Sequence, residues 1–164
     1  MPGRSDRIVP LAVKIVVSGG LGVGKSTFIG TISETAPADP RGVGTRVSMG
    51  VDALDFGRIT LDPTIALYLF GTPAQERVPL LWDDLAEGAL GVVVLADGRR
   101  IEECVPVVEY FDARGVPFVV AVNRFDGGRL CELPEVRRVL GLRGDIPALE
   151  CDAHILEKLA RSVR

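Results

Sequence analysis

Eight residues near the start of the chain, Gly19-Gly20-Leu21-Gly22-Val23-Gly24-Lys25-Ser26, satisfy the pattern G-x-x-x-x-G-K followed by Ser or Thr. Glycines in such a loop let backbone N–H groups converge on phosphate oxygens, and the start of the following helix adds a favourable dipole. Gly19, Gly22, Val23, Gly24, Lys25, Ser26 and Thr27 are therefore expected to hold the phosphates of a nucleotide. Lys25 supplies a cation to the β and γ phosphates, and the Ser26 hydroxyl is the expected protein ligand of Mg²⁺. A second group, Asn123-Arg124-Phe125-Asp126, follows an aliphatic run. Asp126 can accept hydrogen bonds from the N1–H and 2-amino group of guanine. Adenine has an acceptor at N1 and no 2-amino group, so the same carboxylate would stay unpaired, at a cost of orders of magnitude in affinity. GTP or GDP is thus the expected ligand, with the aliphatic stem of Arg124 covering the purine face.

Such residues need a frame that presents loops at one edge of a sheet. Ala12 to Val17, Leu90 to Ala96 and Pro117 to Val122 are Val-rich runs ending near Gly, Asp or Asn, which suits parallel strands buried on both faces. Segments of helical period lie between and beside them: Lys25 to Glu34, Val78 to Ala86, Ile101 to Arg114 and Leu133 to Leu140. Ala53 to Leu61 and Thr64 to Phe70 are separated only by Asp62-Pro63, too short for a crossover, and should form an antiparallel hairpin. Pro147 to Cys151 reads as a last short strand and His154 to Arg161 as a last helix. The expected fold is an α/β P-loop domain: a mostly parallel six-stranded sheet with one antiparallel edge strand and helices on both faces. Residues 36–50, dense in Pro, Gly, Asp, Thr and Ser, read as a loop near the nucleotide.

A chain of 164 residues suits a single domain spanning 1–164, with 1–10 as a flexible extension. Net charge is -3 and the basic residues are scattered, as at Arg99-Arg100 and Arg137-Arg138, which argues against direct nucleic-acid binding. Cys104, Cys131 and Cys151 lack metal-site spacing and the chain has 1 His, so neither a disulfide framework nor a zinc site is expected; the thiols read as reduced and partly buried. Neither a signal-like leader nor an apolar stretch of about 20 residues is present, which predicts a cytoplasmic protein. Without a prenylation cysteine or a Gly at position 2, recruitment to a membrane would come through a partner.

Taken together, these motifs resemble the Ras-like small GTPases. The chain closely resembles the GTPases encoded in actinobacterial conservon operons, an ATP/GTP-binding protein family, over nearly its whole length. The closer likeness is carried by Val13-Lys14-Ile15-Val16-Val17-Ser18-Gly19-Gly20, Leu54-Asp55-Phe56-Gly57-Arg58-Ile59, Leu69-Phe70-Gly71-Thr72-Pro73, Leu81-Trp82-Asp83-Asp84-Leu85 and Phe118 to Asp126. The resemblance implies a GTP-dependent switch working with a roadblock-type protein and a sensor-kinase-like membrane protein; some related operons add a pentapeptide-repeat protein linked to DNA gyrase. It also implies a guanine contact from the backbone of Ala153, with His154 either flanking the base or simply exposed. Residues 36–51 correspond to a switch I-like loop and 71–80 to a switch II-like loop, where Gln75 matches the residue that orients the attacking water.

Departures from that pattern leave two readings open. Gly71 stands where Ras-like proteins carry an Asp that touches Mg²⁺ through water, and Ala74 replaces a glycine that answers the γ-phosphate. Leu21 fills a position usually kept small, and the switch I threonine has only Thr45 or Ser48 as candidates. One reading is a GTPase that uses Lys25 and Gln75 and hydrolyses slowly. The other is a hydrolysis-deficient, nucleotide-bound interaction module. A P-loop kinase would need an arginine-bearing lid and a strand-end Asp, and neither stands out. Leu80, Leu81 and Trp82 either contact a partner or pack a helix onto the sheet.

Overall fold

The computed structural model describes residues 8–34, 46–48, 53–73, 79–125 and 131–152. The three Val-rich runs become β1 (Leu11–Gly19), β5 (Gly91–Asp97) and β6 (Phe118–Asn123), side by side and parallel, with Val17 opposite Val93 and Val94 opposite Val120. Their apolar side chains point both ways, so both faces must be covered. On one face α1 (Lys25–Ile32) packs Ile29 against Val17 and Leu69. On the other, Phe111 of α3 (Val105–Ala113) and Val136 of α4 (Leu133–Val139) are buried with Val94, Val120 and Val122. The helix expected from Ile101 onward is split: Ile101–Cys104 is a 3-10 turn and α3 begins after it. Pro106 explains the break, because it lacks an N–H and its ring opposes the carbonyl one turn back.

β3 (Ala53–Asp62) and β4 (Ile65–Gly71) form the expected antiparallel hairpin, with Phe56 opposite Phe70. Asp62 Oδ1 accepts from the backbone N–H groups of Thr64 and Ile65 and from Thr64 Oγ1, which closes the turn. β4 lies parallel to β1, and β7 (Ala148–Cys151) parallel to β6. The order β3-β4-β1-β5-β6-β7 is the six-stranded, mostly parallel sheet the pattern predicts. One expectation needs correction: Arg46–Ser48, read as loop, is a short strand β2 antiparallel to β3, with Ser48 opposite Ala53. The sheet therefore has seven strands and β3 is not its edge. A strand of 3 residues is too short to show a period. α2 (Pro79–Ala86) follows β4, and the helix expected from His154 lies outside the described residues.

The strand order reverses at β1, since the chain builds β2, β3 and β4 on one side of it and then crosses to β5 on the other. The carboxyl ends of β1, β4, β5 and β6, namely Gly19, Gly71, Asp97 and Asn123, consequently meet at one edge. Cys104 is buried, Cys131 and Cys151 are half-buried, and all three are free. Among the described residues no helix is long and apolar enough to cross a membrane.

Candidate functional site

At the end of β1 the backbone turns through Gly19, φ 148°, where a Cβ would stand 2.3 Å from the Leu95 carbonyl oxygen. Only glycine lets the loop start this close to β5. Val23, 3% exposed, then inserts against Leu95 and Ala121 and anchors the loop on two strands. Gly24 precedes α1 at φ 92°, and its carbonyl accepts the first helical bond from Phe28 N–H. Lys25 is buried, and its Nζ donates to the carbonyls of Gly19 at 2.8 Å and Gly20 at 2.7 Å. Burial pushes the Lys25 pKa down, and the Asp55 carboxylate partly opposes that shift. A desolvated ammonium at the floor of a loop is electrostatically short of anions, a deficit that phosphate relieves.

Asn123, 2% exposed, ends β6 and donates from Nδ2 to the Val23 carbonyl at 3.1 Å, tying the loop after β6 to the phosphate loop. Arg124 donates its backbone N–H to Cys151 O at 2.9 Å and pairs its guanidinium with Glu150 at 3.3 Å. Phe125 lies beneath the Arg99 guanidinium, 4.3 Å from the ring centroid. Arg99 is in turn held by Asp97, donating Nε at 3.0 Å and a terminal nitrogen at 2.8 Å. The Asp97 carboxyl is 1% exposed, and its hydrogen bonds from Arg99 hold its pKa below the usual range. Asp97 is thus a strand-end Asp that sequence reasoning missed. Arg99 and Arg100 engage it, so it positions Phe125 and is unsuited to act as a base.

On the side of Lys25 nearer β4, the Ser26 hydroxyl donates to Asp55 Oδ2. Gly71 packs tightly between Asp55 and α1, since a Cβ there would lie 3.1 Å from Asp55 Cβ and 2.9 Å from Ile29 Cδ1. Thr72, also buried, donates Oγ1 to Ser18 Oγ at 3.1 Å. A hydroxyl and a carboxylate beside the phosphate loop are hard oxygen donors of the kind Mg²⁺ takes together with nucleotide phosphates, so the residues fit that ion. Among the described residues no group of three or more His, Cys, Asp or Glu could hold a metal unaided. Asp55 was missed as a site residue although it stands in the quoted Leu54 to Ile59 segment. The cleft holding these groups is about 490 Å³ and runs from Leu21 and Thr27 to Thr72 and Phe125. Asp126, Gln75, Ala74, Thr45, Ala153 and His154 lie outside the described residues.

A cleft of about 550 Å³ at the opposite ends of the strands is lined by Val92, Phe118 and Pro147 with Asp112, Arg143 and Asp145. Its charged groups pair with one another, Arg143 with Asp112 at 2.7 Å, so it has little attraction for phosphate. Trp82 packs α2 onto α3, with its ring centroid 5.0 Å from Tyr110 and 6.1 Å from Phe111.

Residues 43–141 match the sequence profile of a family described as conserved hypothetical ATP binding proteins. The chain belongs to that family. The stretch shared with these ATP-binding proteins begins after the phosphate loop and takes in Asp55, Gly71, Asp97 and Asn123. No match to a curated protein was found. Among solved structures, the G domain of the T. maritima FeoB iron transporter is similar at 18% identity and TM-score 0.65, over 93% of this chain and 97% of that chain. The FeoB G domain from Methanococcus jannaschii is similar at 17% identity and TM-score 0.63, over 93% and 95%. At these identities the likeness shows the fold, which is that of a G domain.

Proposed function

We propose that the chain is a guanine-nucleotide-binding regulatory protein that holds GTP or GDP with Mg²⁺ and hydrolyses GTP slowly as a switch. The observation that carries this reading is Lys25, buried beneath a loop whose glycines are shaped for phosphate and tied through Asn123 to the loop after β6. In this reading Gly22 and Gly24 free backbone N–H groups for phosphate oxygens, and Thr27 and Val23 complete the lining. Asn123 keeps the base loop in place, Arg124 covers the purine and Asp126 reads guanine, with Ala153 and His154 beside the base. The family description speaks of ATP; the carboxylate of Asp126 argues for guanine, because only guanine offers it donors. Mg²⁺, when bound with the nucleotide, neutralises charge between the β and γ phosphates. Lys25 would stabilise the same charge, Ser26 would offer its hydroxyl oxygen to the ion and Gln75 would orient water. The output runs through protein partners, for which the conservon resemblance nominates a roadblock-type protein, a sensor-kinase-like membrane protein and a pentapeptide-repeat protein, with the chain cytoplasmic or recruited to a membrane by one of them.

A second reading, a nucleotide-bound interaction module that does not hydrolyse, is favoured by Leu21, 72% exposed at the rim of the phosphate loop. A leucine there occupies space that a catalytic glutamine or a partner's arginine would need, and small displacements cost large factors in rate. Fluorescence titration with labelled GDP and GTP, competed with ATP and followed by phosphate release with and without a roadblock-type protein, separates the two. Guanine-selective binding with stimulated release supports the switch, and binding without release supports the module. Equal competition by ATP sinks the role given to Asp126.

A further inference from the structure

The carboxylate that the end of β4 lacks is present in space, on the neighbouring strand. Gly71 ends β4, and Asp55 lies one position beyond Phe56, the register partner of Phe70 on β3. A Cβ at position 71 would stand 3.1 Å from Asp55 Cβ and 2.9 Å from Ile29 Cδ1, so a side chain there would crowd Asp55 from one side and α1 from the other. Asp55 Oδ2 accepts the hydroxyl proton of Ser26 at the start of α1. That hydrogen bond has a directional consequence. A serine hydroxyl has one proton and two lone pairs, so giving the proton to Asp55 leaves both lone pairs for a cation. The carboxylate itself adds the negative charge and hard oxygens that a small divalent ion prefers. Lys25, the residue before Ser26, brings its ammonium close enough to Asp55 for the two charges to attract each other.

We propose that Asp55, on β3, is the acidic member of the divalent-cation site: it orients Ser26 and supplies the carboxylate charge for the cation that accompanies the nucleotide, in place of a residue at position 71. The assignment rests on the nucleotide-binding reading above. Because Asp55 and Gly71 face each other across β3 and β4 with little space between them, it makes positions 55 and 71 a coupled pair.

The test uses the full chain with GDP and Mn²⁺, the ion read by electron paramagnetic resonance and GDP by fluorescence. For the unaltered chain, Mn²⁺ should tighten GDP binding. In Asp55→Asn, which keeps the side-chain shape, that tightening should shrink at least tenfold and Mn²⁺ held in the GDP complex should fall correspondingly. A purely structural role would weaken GDP equally with and without the ion, leaving the ratio unchanged, and that result overturns the assignment. Gly71→Asp alone should be poorly tolerated, whereas Asp55→Gly with Gly71→Asp should regain much of the Mn²⁺ response. Failure of this pair to regain any response, while still binding GDP, also counts against the coupling of the two positions. If the unaltered chain binds GDP with no response to Mn²⁺, the cation site is overturned and nucleotide binding survives; if it binds no GDP, both readings fall.

Discussion

Gly24 and Asn123 show how closely two distant segments meet. Gly24 has φ 92°, and a Cβ there would come within 2.8 Å of Asn123 Nδ2, the atom that donates to Val23 O. Gly24→Ala therefore combines a left-handed backbone with a clash. We expect a loss of more than about 1 kcal/mol in chemical denaturation together with loss of labelled-nucleotide binding. Asn123→Ala keeps the backbone but removes the donor, leaving the Val23 carbonyl short of a buried partner, for about 1–3 kcal/mol without nucleotide. If Asn123→Ala unfolds at the same denaturant concentration as the parent, the hydrogen bond is not the tie described. At this scale the phosphate loop was legible because its eight residues are contiguous and the geometry is local. Asp55 was not, because 29 residues separate it from Ser26 and only the β3–β4 hairpin brings them together. Asp97 escaped for a different reason: its role depends on Arg99 folding back over Phe125, which no spacing rule encodes.

Among the elements, β1, β5 and β6 could be read directly, since runs of Val with a terminal Gly, Asp or Asn have few folded solutions besides buried parallel strands. What could not be read were the events that depend on a neighbour. β2 exists only because β3 offers it an edge, and the approach of α1 to β3 shows at Gly57, where a Cβ would sit 2.8 Å from Ile29 Cγ2. The β5 end is held by Asp97, and its consequences are measurable. Asp97→Asn removes the charge that binds Arg99 and Arg100, and should cost about 2 kcal/mol near neutral pH. The sign with pH follows from the depressed pKa: the native carboxyl binds its proton less readily than the unfolded one, so its stabilisation is complete above about pH 4 and is lost as pH falls through its native value. Urea midpoints of parent and Asp97→Asn should therefore converge as pH is lowered below about 4. A gap that stays constant to low pH would mean that Asp97 acts by packing and not by charge.

Across the whole molecule, the glycine-rich loop grows from β1 and the loop proposed to hold the base from β6, with β5 between them. The Asn123 hydrogen bond and the packing of Val23 on Leu95 and Ala121 link these loops through the protein itself. A nucleotide spanning from Lys25 to Asp126, as proposed, would add a further link, made only when the chain is folded, so its binding free energy becomes folding stability. At a GDP concentration 100 times its dissociation constant the gain is about 2.7 kcal/mol, and for a domain of this size each kcal/mol moves the melting temperature by roughly 2–4 °C. Thermal unfolding with GDP and Mg²⁺ should accordingly rise by roughly 5–10 °C over the ligand-free chain. Lys25→Met should abolish the shift, because it removes the cation that answers the phosphates while keeping a stem of similar volume. ADP at the same concentration separates the two halves of the site. If phosphate contacts alone stabilise the fold, ADP and GDP shift it equally and the base loop contributes nothing. If Asp126 reads the base, ADP leaves a carboxylate unpaired and its shift falls well below that of GDP.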